Sequence, residues 1–142
     1  MRKTAPDLSL VPMKEDFPPG WADLRYPWIR AELIAYLEEI ATPDPRPIWR
    51  AEAQQGLISD VDQVMHFFFD DHDFDEKAVG VYLFDTAEVA LVQSVKYALD
   101  RLVQKLPHGG NDEYVTDPLW KAVTASASAA YDAISARAAE GR

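Results

Sequence analysis

The chain has 142 residues, room for one domain of ordinary size, and carries 24 Asp and Glu against 14 Lys and Arg, a formal charge of -10. Apolar residues at 48% and charged residues at 27% exclude a wholly disordered or low-complexity chain. The acidity argues against sequence-independent nucleic-acid binding and against anionic membranes, and the absence of cysteine removes disulfides, thiolate metal sites and cysteine nucleophiles.

The N-terminus begins basic, with Arg2 and Lys3, but the apolar run Leu8-Ser9-Leu10-Val11 is too short for a signal-peptide core. No apolar stretch approaches the ~20 residues of a membrane-spanning helix, so a cytoplasmic protein is expected. Eight of the ten prolines lie in the first 47 residues, which predicts an extended leader over residues 1–19 and a single domain over residues 20–142. Leader charges cancel, Arg2, Lys3 and Lys14 against Asp7, Glu15 and Asp16, so the acidic surplus belongs to the domain.

The first helix is expected over residues 27–41. Pro27 suits a first helical turn, and Ile29, Leu33, Ile34, Leu37 and Ile40 form one apolar stripe. The proline-rich run 42–47 ends it. Three strands are expected next. Residues 48–53 alternate Trp49, Ala51 and Ala53 with Arg50 and Glu52. Residues 61–69 are rich in β-branched and aromatic side chains and read as the central strand. Residues 79–84 follow a polar turn and read as its hairpin partner. A second helix starts at Asp85-Thr86-Ala87-Glu88, which has capping-box spacing, and carries the stripe Val89, Val92, Val95, Leu99, Leu102, Val103 and Leu106. Pro107-His108-Gly109-Gly110 stops it. A third opens at Asp117-Pro118, with Trp120, Val123, Ala127, Ala130 and Ile134 on one side. The expected fold is α+β: a short three-stranded antiparallel sheet with helices mainly on one face, in the order α-β-β-β-α-α.

Asp70-Asp71-His72-Asp73-Phe74-Asp75-Glu76 places five carboxylates within seven residues. Asp71, Asp73 and Asp75 match the alternate positions that open a calcium loop. Glu76 stands where that loop needs glycine, and Tyr82 where it needs a bidentate glutamate, so a solvated acidic turn is expected and no metal site is assigned. His66, with Asp62 or Asp70 on its face, has the makings of an oriented base. A lone histidine between Val64 and Phe68 reads instead as a packed, hydrogen-bonded core residue. No nucleophile elbow, P-loop, dinucleotide fingerprint or zincin motif is present, so no catalytic residue and no cofactor is assigned. Trp21, Tyr26 and Trp28 flank the proline-rich region and are expected to be the exposed aromatics, whereas Trp49 and Trp120 fall on apolar faces.

Several segments in order resemble a family. They are Arg30-Ala31-Glu32-Leu33, Ile48-Trp49-Arg50, Val64-Met65-His66-Phe67-Phe68-Phe69-Asp70-Asp71, Val79-Gly80, Glu88, Asp112-Glu113-Tyr114 and Asp117-Pro118-Leu119-Trp120. Over about residues 24–135 the chain is similar to small, acidic, single-domain bacterial proteins of unknown function, mainly from actinomycetes. That resemblance implies one domain and supplies no activity or catalytic residue.

The function expected is a non-catalytic acidic binding protein, of immunity or antitoxin type, engaging a basic protein partner and neither nucleic acid nor membrane. Its binding residues are expected among Asp70, Asp71, Asp73, Asp75, Glu76, Trp21, Tyr26 and Trp28. The alternatives are a metal-assisted hydrolase using His66 with the run from Asp70 to Glu76, and an adaptor acting by self-association.

Overall fold

In the computed structural model, residues 17–139 are described, and every regular element among them is a helix. α1 spans Pro27–Ala41, α2 Arg46–Gln54, α3 Val61–Met65, α4 Thr86–Lys105, α5 Asn111–Thr116 and α6 Trp120–Ala139. α3 continues directly into a widened π-helical stretch, His66–Asp71. Single 3-10 turns occupy Pro19–Asp23 and Glu76–Ala78. The part of the expected leader that covers residues 1–16 lies outside the described residues.

The α+β expectation is overturned: no sheet forms among the described residues, and each expected strand has a local reason to be something else. Residues 48–53 lie in α2, which begins with Pro47 in its first turn, where a missing N–H is harmless. Ala, Arg, Glu and Gln are strong helix formers, and of the alternating set only Trp49 is buried while Ala51 and Ala53 are exposed. In residues 61–69 the buried side chains are Val61, Val64, Phe67 and Phe68, spaced in steps of three and four, which is a helical period. Asp60 caps this helix by accepting the Gln63 N–H at 3.0 Å. Residues 79–84 form turns with one isolated bridge between Val79 and Leu83. Gly80, at φ 84°, reverses the chain in a conformation that favours glycine. The carbonyls of Gly80 and Val81 then accept the N–H groups of Arg25 (3.1 Å) and Tyr26 (2.8 Å), lashing this turn to the approach to α1.

The expected helices do form. α1 has the expected bounds. Asp85 caps α4 by accepting the Glu88 N–H at 3.0 Å. α6 starts at Trp120, and Asp117 accepts the Leu119 N–H at 2.9 Å just ahead of it. α5 is an addition, and its start is marked by Glu113 reaching back to the Gly110 N–H at 3.0 Å.

α6 packs along both α1 and α4. Leu33, Leu37 and Ile40 meet Val92, Val95, Leu99 and Leu102 in one core with Val123, Ala127, Ala130 and Ile134. The small Ala127 and Ala130 let the α6 backbone come close to its neighbours. A chain of ring contacts joins Tyr36, Phe67, Phe68, Phe74 and Tyr82, with neighbouring centroids 4.4 to 5.7 Å apart, and seats the π-helical stretch on α1.

Arg30 and Glu88 lock the bundle. Arg30 is fully buried and donates to both Glu88 oxygens, at 2.7 and 2.8 Å, and to the carbonyls of Tyr82 and Ile134 at 3.3 Å. Arg137 adds a bond to Glu88 at 2.8 Å and an ion pair with Asp85 at 3.0 Å. The Phe84 ring lies against both guanidiniums, 4.1 Å from Arg30 and 5.2 Å from Arg137. One carboxylate thus ties α1, α4 and α6 together.

Candidate functional site

α3 is held at its start from two directions. Asp60 caps it, and the Val61 N–H donates to the Asn111 side chain of α5 at 2.8 Å. With Val64, Phe67 and Phe68 directed into the core, Asp62, His66, Phe69 and Asp70 are left exposed. The π-helical widening, a distortion frequent at functional sites, falls on this segment. His66 Nδ1 and an Asp70 oxygen are 2.6 Å apart, with the two side chains 58% and 62% exposed. The expectation that His66 is a buried core residue is therefore corrected: it is hydrogen-bonded, but at the surface. Buried Phe67 and Phe68 follow it at helical spacing and occupy the core in its place.

Beside this pair lies a cleft of about 330 Å³. Asp62, Asp70 and Asp100 supply carboxylates to it, over a floor that includes Met65, Phe69 and Val103. Lys96 Nζ already lies 5.3 Å from the Phe69 ring centre, so that ring is in use as a cation platform.

The acidic run continues from Asp70 but is not a hairpin tip. Its backbone is pinned by Phe74, which is buried and accepts the Gln93 side-chain amide, and by the Asp73 carbonyl, which accepts the Tyr82 hydroxyl. Asp75 is occupied as a cap, accepting the Lys77 N–H at 2.9 Å. Asp71, Asp73 and Glu76 are exposed and make no ion pair among the described residues. Their charge is felt nearby. Burial, and then the charge of Asp71, pushes the Glu32 carboxyl on α1 up to about 7. Burial among aromatic rings lowers the His72 pKa, with Asp71 and Asp73 opposing it.

The aromatic candidates separate from this surface. Trp21, expected to be exposed, is only 3% exposed: it stacks on Phe17 at 5.5 Å and lies 5.3 Å from the Arg30 guanidinium. Buried Arg30 gives the indole a cationic neighbour under cover, which the proline pattern does not signal. Tyr26 is 37% exposed and Trp28 half-buried, with ring centres 5.3 Å apart, and neither lines the acidic cleft. Asp62 and Asp100 join the site instead. Asp62, already expected on the face of His66, stays on that face at helical spacing, four residues ahead of it. Asp100 comes from α4, through tertiary packing alone.

The cleft offers three carboxylates, which only accept when ionised, together with the His66 ring, which can donate through a ring N–H. The Tyr114 hydroxyl is spent on the Leu106 carbonyl at 2.6 Å. Among the described residues, no serine, threonine or lysine lines the cleft. Among the described residues no group of three His, Asp or Glu side chains could hold a metal ion. No helix among them is long and apolar enough to cross a membrane.

A family model described as a domain of unknown function (DUF7945) matches residues 24–142. No curated protein and no solved structure matches the chain.

Proposed function

The chain belongs to DUF7945, a family of domains of unknown function, and from that premise we propose that it is a non-catalytic binding protein engaging a basic protein partner through the acidic face from Asp62 to Glu76. The observation that carries this reading is the placement of Asp71, Asp73 and Glu76, exposed and without ion pairs among the described residues, on a pinned loop beside the three-carboxylate cleft. Fixed like charges raise the local negative potential and speed the encounter with a cationic surface. The cleft suits a lysine or arginine side chain, its aliphatic stem over Met65 and Phe69 and its charge among Asp62, Asp70 and Asp100. Neutralisation of a basic partner, as by an immunity protein or antitoxin, is the role in this proposal. It includes a bacterial setting, which rests on the resemblance to actinomycete proteins, and a cytoplasmic one, with which the absence of cysteine agrees.

The test uses an arginine-rich peptide titrated into the isotope-labelled chain. The proposal expects the amide signals of residues 62–76 and of Asp100 to move first and together, and the shifts to fade with added salt. Shifts confined to the surroundings of Tyr26 and Trp28 would contradict it.

A further inference from the structure

A second cleft, of about 670 Å³, opens where the end of α1 meets the α5–α6 corner. It is independent of the acidic face. Its size is that of sites for small ligands, roughly 300–1,000 Å³. Ala41, Pro43, Val115 and Pro118 give it apolar walls. Trp120 and Thr124, four residues apart and so on one face of α6, also line it. Both carry an unmet polar atom: Trp120 Nε1 and Thr124 Oγ1 are buried and have no hydrogen-bond partner, and Trp120 as a whole is only 3% exposed. Buried donors are almost always paired, so two orphans lining one cleft need an explanation.

The donor set identifies the partner. An indole N–H only donates, an ammonium only donates, and a hydroxyl can do so. Lys121, exposed and with no ion pair among the described residues, supplies the ammonium. Asp117 lines the cleft as well, but its carboxylate is held by Lys105 at 2.8 Å and by the Leu119 N–H at 2.9 Å. The complement is an anionic acceptor attached to an apolar body. We propose that this cleft binds a small monocarboxylate with an aliphatic or aromatic body. Its carboxylate takes the Trp120 N–H, after a turn of that ring, and the Thr124 hydroxyl. Lys121 balances the charge, and the body displaces water from the apolar walls.

The full chain labelled with nitrogen-15 tests this with octanoate as probe and octylamine as control. The Trp120 indole signal is identified by its loss in Trp120→Phe. Octanoate is expected to move that signal saturably at millimolar concentration or below while the signals of Trp21, Trp28 and Trp49 stay in place, and octylamine is expected to leave all four unmoved. Thr124→Val, which is isosteric and removes a hydroxyl that has no partner, is expected to keep the fold and weaken octanoate about tenfold, the worth of one hydrogen bond. Ala125→Leu places bulk in the cleft from an exposed position and is expected to abolish the shift. Equal shifts with octanoate and octylamine would show partition by the apolar walls alone and overturn the proposal. An unmoved Trp120 signal, or octanoate affinity unchanged by Thr124→Val, would do the same.

Discussion

Arg30 is a charge placed where no water reaches it, and its partner Glu88 is almost as deeply buried. A buried pair gains little over a well-packed apolar substitute, yet losing one member leaves the other uncompensated. Arg30→Met is therefore expected to destabilise the chain by ~3–5 kcal/mol, read by urea unfolding. Arg30→Met with Glu88→Gln is expected to cost clearly less than the two single changes added together, because they share one network. Burial works to raise the Glu88 carboxyl, but the hydrogen bonds from Arg30 and Phe84 and the Arg30 charge more than offset it and hold it below its ordinary value. Its contribution to stability is present above the ordinary carboxylate range and is lost as pH falls through the lowered folded value. Glu32 behaves in the opposite sense. With its carboxyl raised to about 7 by burial and Asp71, it favours the folded state while protonated, and that contribution is lost as pH rises from the ordinary range through about 7. Glu32→Gln is expected to flatten the decline in thermal midpoint between mildly acidic and mildly alkaline pH and to raise the midpoint at the alkaline end. An unchanged pH profile would show that Glu32 is solvated in the fold.

At the scale of elements, caps decide where helices begin. Asp85 accepts the Glu88 N–H at the head of the twenty-residue α4 and also faces Arg137. Asp85→Ala is expected to destabilise by about 1 kcal/mol or somewhat more, and Asp85→Asn by less, because asparagine caps nearly as well. This start was legible in the sequence, as were α1 and the line of small residues on α6. The expected sheet gives way to helix for a physical reason that Val61, Val64, Phe67 and Phe68 make plain. A run apolar on two faces satisfies both periods, and β-branched and aromatic content then tips the reading toward a strand. The Asp60…Gln63 cap signal and the Pro47 start of α2 were local evidence for helix, and in the structure they prevail over that content. The candidate site was legible in the acidic run and in the His66–Asp70 pairing. Asp100 was not, since only the packing of α4 beside α3 brings it there. Burial of Trp21 against Arg30 was equally hidden, because the contact with a buried guanidinium on α1 is made only in the folded chain.

Over the whole molecule, the formal charge of -10 is a surplus that the fold does not neutralise along residues 70–76. Fixed acids crowded there repel one another, so Asp71→Asn with Asp73→Asn and Glu76→Gln is expected to leave stability equal or slightly raised, within ~0.5 kcal/mol. Asp75 is left in place because it caps the following turn. Function is expected to respond in the other direction, since charge at a rim acts mainly on the rate of encounter. The most direct measurement is the association rate of wild type and this triple variant with the basic protein captured by the chain from its native cell, at low and at moderate ionic strength. Docking through the acidic face predicts a wild-type rate that falls steeply with salt, and a variant that is slower at low salt and nearly flat across the range. Identical rates for the two proteins at low salt would contradict it.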